Sequence, residues 1–252
     1  MPPRKKRKTD ATGSSTETPE RPQNFPSIAT LARALDQHPY ALALRSKEHV
    51  KTPDALTDLD AWLLTDLSAK IASSEPNVDK RDMQKLMQWK LSRGKSRPTL
   101  LALIASNPES LVLKSTSSAL TTLRAAGDDL ERGLLAVSQA CAMKGVGAAT
   151  ASALLTLLPP HLLPFMSDEA ASFFTSTLGP IKYTDAFYNK FARAMAAEVA
   201  RLNSEADNMQ WDAQKLQRAL FAICILKKHG QDGVLDSEPS NSSSLKRQRD
   251  DS

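Results

Sequence analysis

Apolar residues recur at helical spacing along most of the chain between residues 28 and 228. Leu56, Leu59, Trp62, Leu63, Leu67 and Ile71 fall on one face and predict a helix over 56–72. Met83, Leu86, Met87 and Leu91 share a face of a second over 78–91. Short runs predict helices over 28–35 and 99–105, the latter opened by Pro98, and Pro108 opens another that reaches about Leu123. Further helices are expected over 128–143, 148–158, 168–178, 186–202 and 211–228. No stretch alternates with the two-residue period of a strand, and no internal repeat is visible. The pattern predicts one all-α domain, a multi-helix bundle over residues 26–229.

Composition supports this picture and narrows the chemistry. The 252 residues are 41% hydrophobic but only 5% aromatic, which suits helices packed on helices through Ala and Leu. Cys141 and Cys224 lie in apolar helical runs and read as reduced core thiols of an intracellular protein. The four histidines are scattered, so neither metal ligands nor a cofactor site is expected. Pro159-Pro160 interrupts the longest apolar run, and no secretory signal pattern opens the chain, so no membrane association is expected. Residues 1–25 and 230–252 are polar and are expected to be disordered tails.

Charge is distributed unevenly. The net +5 equals the five cations of Arg4-Lys5-Lys6-Arg7-Lys8, so the rest of the chain sums to zero. That run, behind Pro2-Pro3, matches a nuclear import signal and implies an import receptor as partner and the nucleus as destination; the other reading is a solvated basic tail. Any contact of the body with nucleic acid must come from a local patch. One exists: residues 79–97 hold Lys80, Arg81, Lys85, Lys90, Arg93, Lys95 and Arg97 against Asp79 and Asp82. Arg93, Lys95 and Arg97 fall in a glycine-bearing turn between two helices, where they can converge on phosphates, or simply face solvent. Trp89, just before that turn, is either a stacking platform for an extruded base or a core residue.

The most informative segment is Lys144-Gly145-Val146-Gly147-Ala148, between two predicted helices. Two glycines around one apolar residue predict a tight hairpin with Val146 anchored in the core and a backbone of positive φ in close contact with its surroundings. The amides of the hairpin and of the following helix start would then point outward unpaired, as an anion site. Lys144 adds a cation there or is a plain surface residue. The alternative is an ordinary glycine turn between core helices.

This arrangement resembles the helix-hairpin-helix DNA glycosylase superfamily. In that superfamily a Gly-apolar-Gly hairpin is followed, a helix and a loop later, by an aspartate that opens another helix. Asp168 stands 21 residues after Gly147, close to the family's separation. The resemblance implies that Asp168 is the catalytic carboxylate, stabilising an oxocarbenium-like sugar or orienting the attacking water; a plain helix cap is the alternative. It also implies backbone contacts with double-stranded DNA through Lys144 to Ala148. Two departures matter. Ala148-Ala149 stands where bifunctional members carry a Schiff-base lysine, so a water-using, monofunctional N-glycosylase is implied. Glu169-Ala170 after Asp168 also differs from the family's Asp-Thr-His. A closer resemblance is to the Amun-type family of eukaryotic glycosylase-like nuclear proteins, through Lys85 to Pro98 and Lys144 to Glu169. The expectation is therefore a DNA-binding nuclear protein, either a monofunctional glycosylase in base excision repair or a catalytically inactive DNA- or chromatin-binding module. A purely structural helical domain is a third reading.

Overall fold

A computed structural model of the chain describes residues 20–49, 54–95, 97, 99–159, 161–205 and 209–236. Its elements are α1 (Ile28–Asp36), α2 (His38–Lys47), α3 (Ala55–Trp62), a π turn (Leu63–Leu67), α4 (Ser68–Ala72), α5 (Lys80–Arg93), α6 (Thr99–Ala105) and α7 (Glu109–Arg124). They continue through α8 (Leu130–Ala140), α9 (Ala148–Leu155), α10 (Asp168–Ser172), α11 (Thr175–Leu178), α12 (Asp185–Glu205), α13 (Ala213–Lys228) and a 3-10 turn (Asp232–Leu235). The described residues contain no strand, so the chain is all-α, as its periodicity predicts.

Side chains written into the sequence fix several helix starts. Asp79 and Asp82 form a reciprocal capping box at α5, each carboxylate accepting the other's backbone N–H at 2.9 and 3.1 Å. Asp129 and Asp212 cap α8 and α13 in the simpler way. The expected helix over 56–72 divides at the π turn, where the Ser68 amide bonds the Leu63 carbonyl and its hydroxyl donates to the same oxygen at 3.1 Å. The expected helix over 168–178 likewise divides into α10 and α11, with Phe174 fully buried between them. α2 lies in a stretch without apolar periodicity, and Pro39 in its first turn is its sequence signal.

Two helices organise the core. α13 packs on α1, α2, α10 and α12, and α5 packs on α2, α3, α6, α7 and α9. The two are joined where the Arg93 guanidinium of α5 lies 3.9 Å from the Phe221 ring centroid of α13. The packed body also extends past the 26–229 boundary expected from composition. Leu235 is 3% exposed and its carbonyl accepts from Arg33 Nε at 2.6 Å, while Pro22 and Phe25 are buried at the other end. A single leucine in a polar stretch carries too little periodic signal to mark that continuation. The basic run Arg4-Lys5-Lys6-Arg7-Lys8 lies outside the described residues.

Candidate nucleic-acid interface

The connection from α8 to α9 is a tight hairpin. Val146 is buried within it, and its amide donates to the Met143 carbonyl at 3.2 Å. Gly145 takes φ +79°, and a Cβ there would come within 2.9 Å of Leu103 Cβ and 3.3 Å of the Leu100 carbonyl. The expectation of a left-handed, close-packed glycine therefore holds at Gly145. It does not hold at Gly147, which has φ −106° and open space around a built Cβ. Gly147 is exposed and acts instead as the N-cap of α9, with no side chain standing before the helix start.

Asn107, which nothing in the periodicity marks, anchors the hairpin. Almost fully buried, it accepts from the Lys144 amide at 2.8 Å and donates to the Lys144 carbonyl at 3.0 Å and to the Ile104 carbonyl at 3.1 Å. The Lys144 and Val146 amides are thus consumed inside the protein, which corrects the expectation that the hairpin as a whole presents bare amides. Among the described residues, the amides of Gly145, Gly147, Ala148 and Ala149 find no acceptor. Those at the start of α9 are the orphan donors that any helix leaves. The Lys144 side chain is exposed beside them.

Asp168 opens α10, and Ser167 is its cap, the hydroxyl accepting from Ala170 N–H at 3.2 Å. Three helices hold this entry. Ser152 of α9 accepts from the Met166 amide at 3.1 Å, Tyr188 of α12 donates to the Pro164 carbonyl at 3.2 Å, and Gln217 of α13 donates to Ser167 Oγ at 3.2 Å. The Asp168 carboxylate is then engaged on both oxygens. Tyr183 donates a short hydrogen bond to Oδ1, and Lys95 Nζ sits 3.4 Å from Oδ2. Burial and the bond to Asp168 push the Tyr183 hydroxyl up to about 12, so it remains a donor.

Lys90, Lys95, Arg97, Ala149, Asp168 and Tyr183 all border one small, open cleft. The carboxylate, the basic turn and the helix begun by the hairpin therefore meet. Arg97 lies exposed at the cleft, its guanidinium 4.3 Å from the centroid of Tyr183.

Two residues expected on the interface do not reach the outer surface. Trp89 is 2% exposed, donates to Asp60 Oδ1 at 2.9 Å and packs against Phe165, so it is a core residue and no stacking platform. Arg93 is 3% exposed and stacks among Trp89, Phe165 and Phe221, forming no ion pair among the described residues. Burial lowers its pKa to about 10, which leaves it charged at neutral pH. Helix phase explains both: positions 86, 89 and 93 of α5 face inward together, and a guanidinium there is stabilised by ring faces in place of a carboxylate.

Sequence reasoning also passed over Tyr183 and Lys90. Tyr183 sits in the connection between α11 and α12, and Lys90 looked like one cation among seven. Burial and the Arg97 charge bring the Lys90 amine down to about 8, with Asp168 opposing them.

Among the described residues, no three or more His, Cys, Asp or Glu gather where a metal ion could be held, and no described helix is long and apolar enough to cross a membrane. Comparison of the chain with protein-family models, with curated proteins and with solved structures returns no significant match.

Proposed function

We propose that this chain is a nuclear DNA-binding protein of the helix-hairpin-helix glycosylase kind, which grips duplex backbone and hydrolyses the N-glycosidic bond of an extruded nucleotide. The observation that carries the reading is the shared cleft. Ala149 of the hairpin helix, the Lys95–Arg97 turn and Asp168 border a single opening. Phosphates bound at the free amides of α9 and at Lys95, Arg97 and Lys144 would set a strand across its mouth. An extruded nucleotide would bring its C1′ to Asp168, whose negative charge stabilises the cationic sugar as the base departs. Lys95 and Tyr183 hold that carboxylate in place, and substrate phosphates compete for Lys95. The Arg4–Lys8 run would deliver the protein to the nucleus through an import receptor.

The second reading, a DNA- or chromatin-binding module without chemistry, draws on the full engagement of both Asp168 oxygens and on Glu169-Ala170 beside it. Duplexes each carrying one damaged base, incubated with the wild type and with Asp168→Asn, separate the two. Base release by the wild type and its loss in the variant, with binding retained, supports hydrolysis. Binding without release from any duplex leaves the module. The grip has its own test in Gly147→Glu, which places a negative charge before α9 where a side chain has room. DNA affinity should fall by about tenfold or more with little change in melting temperature. Unchanged affinity would remove the hairpin from the interface.

A further inference from the structure

The wall of the Asp168 cleft holds several donors that the protein itself leaves unused. Arg93 and Ser167 border the cleft although they are only 3% and 6% exposed. The Arg93 Nε and Nη2 are buried with no acceptor, and among the described residues none accepts from Nη1 either. The rings of Trp89, Phe165 and Phe221 stand 5.3, 5.4 and 3.9 Å from its guanidinium carbon. Ring faces stabilise the charge but supply no lone pair to its N–H groups. The Ser167 hydroxyl oxygen accepts from Ala170 N–H and from Gln217 Nε2, and its own proton finds no acceptor among the described residues. The Ala149 amide, in the first turn of α9, also borders the cleft without an acceptor. Lys90, one turn before Arg93 on α5, makes no ion pair among the described residues. Lys95, by contrast, meets Asp168, and Arg97 lies over Tyr183. Lys90, Arg93, Lys95 and Arg97 bring four positive charges to this cleft, and Asp168 and Glu169 two negative ones, so two positive charges remain in excess.

We infer that the inner wall of the cleft is a receptor for the terminal group of a phosphate monoester, bound by Arg93, Lys90, Ser167 and the Ala149 amide. Such a group carries a charge of about −1.5 to −2 at pH 7 and three strong acceptor oxygens, which matches both the charge excess and the unused donors. It is also compact enough for a small cleft. A phosphodiester within a strand carries one negative charge and two unlinked oxygens, so it satisfies less of this wall. Asp168 and Glu169 repel any anion, which sharpens the preference for the ligand that engages the most donors. The receptor is separate from the grip on strand phosphates, which uses Lys95, Arg97, Lys144 and the outer amides. Two sources share this chemistry: the phosphorylated end of a broken DNA strand, and a free small phosphate ester. The strand source rests on the proposed function, whereas the receptor itself does not.

Full-length protein is titrated calorimetrically, in a phosphate-free buffer, with inorganic phosphate and separately with dimethyl phosphate. Inorganic phosphate should bind saturably at one site, and dimethyl phosphate about tenfold more weakly or worse. Lys90→Gln and Arg93→Met, their folding checked by circular dichroism and thermal melting, should each weaken phosphate binding by about tenfold, and Lys90→Arg should restore most of it. If Arg93→Met does not fold, the two Lys90 variants still decide. Fluorescence anisotropy then compares duplexes that differ only in a phosphate or a hydroxyl at one strand end. Tighter binding of the phosphate end, with the gap closing in Lys90→Gln, supports the receptor and its strand source. Equal affinity for the two duplexes, with inorganic phosphate still bound, supports the receptor with a free ester as its ligand. If neither duplex binds, the DNA grip fails, and calorimetry alone judges the receptor. Phosphate binding that is absent, or unchanged in Lys90→Gln, or matched by dimethyl phosphate, overturns the inference.

Discussion

A methyl group at position 145 would meet two obstacles at once: a left-handed backbone and the Leu103 side chain at 2.9 Å. Position 147 offers neither. Gly145→Ala should therefore cost about 1–3 kcal/mol and Gly147→Ala less than about 1 kcal/mol, as read by urea unfolding. Equal costs at the two positions would contradict the hairpin geometry. His38 makes a second prediction. It is buried against Phe221, with its Nε2 unpartnered, and burial together with Arg93 and Arg218 drives its pKa down to about 2. In the unfolded chain the ring takes up a proton below its ordinary 6.5, whereas in the fold it stays neutral. The unfolded state thus binds more protons in that range, and stability falls as pH drops below 6.5, by up to about 1.4 kcal/mol per unit. His38→Gln should flatten the slope between there and about pH 5, above most carboxylate titrations. An unaltered slope would show that His38 is not the responsible group.

The placement of the basic turn is a matter of whole elements. Arg45 of α2 donates from Nε to the Arg93 carbonyl at 2.8 Å and from Nη2 to the Gly94 carbonyl at 2.6 Å, and His49 Nε2 meets the Ser92 carbonyl at 2.7 Å. These are the last carbonyls of α5, which a helix leaves without intrahelical partners. α2 thereby fixes where Lys95 and Arg97 stand. Arg45→Met should destabilise the fold by about 2–3 kcal/mol and speed hydrogen exchange near residues 93–95, whereas a purely peripheral arginine would change neither. This dependence marks the limit of what the sequence discloses. Period and capping residues located most helices, and the Gly-Val-Gly spacing located the hairpin, because those signals are local. The orientation of Trp89, the Asn107 anchor and the Arg45 latch depend on partners 29 to 49 residues away, and that of Arg93 on Phe165 and Phe221, farther still. A lone asparagine or arginine carries no local mark of such a partner. Asp168 was legible through its distance from the hairpin, while Lys90 became visible only once α5 was seen beside α9.

For the molecule as a whole, the C-terminal boundary has a measurable consequence. Truncation after His229 removes the buried Leu235 and the acceptor of Arg33, and should lower stability by about 2–4 kcal/mol. Truncation after Asp236 should leave it nearly unchanged, and equal melting temperatures for the two would place the boundary back at 229.

That closing contact also brings the first and last packed segments of the chain together. α1 lies against α13 and the 3-10 turn, and Asn24 and Asp236 border one shallow hollow. The backbone therefore traces a nearly closed ring. A short glycine–serine bridge across that gap, with new ends cut at the exposed Gly127–Asp128 turn, should yield a circular permutant that folds to the same helical content. Asn24 and Asp236 thus stand on one flank of the described body, so spectroscopic labels attached at these two positions would report on each other as a pair.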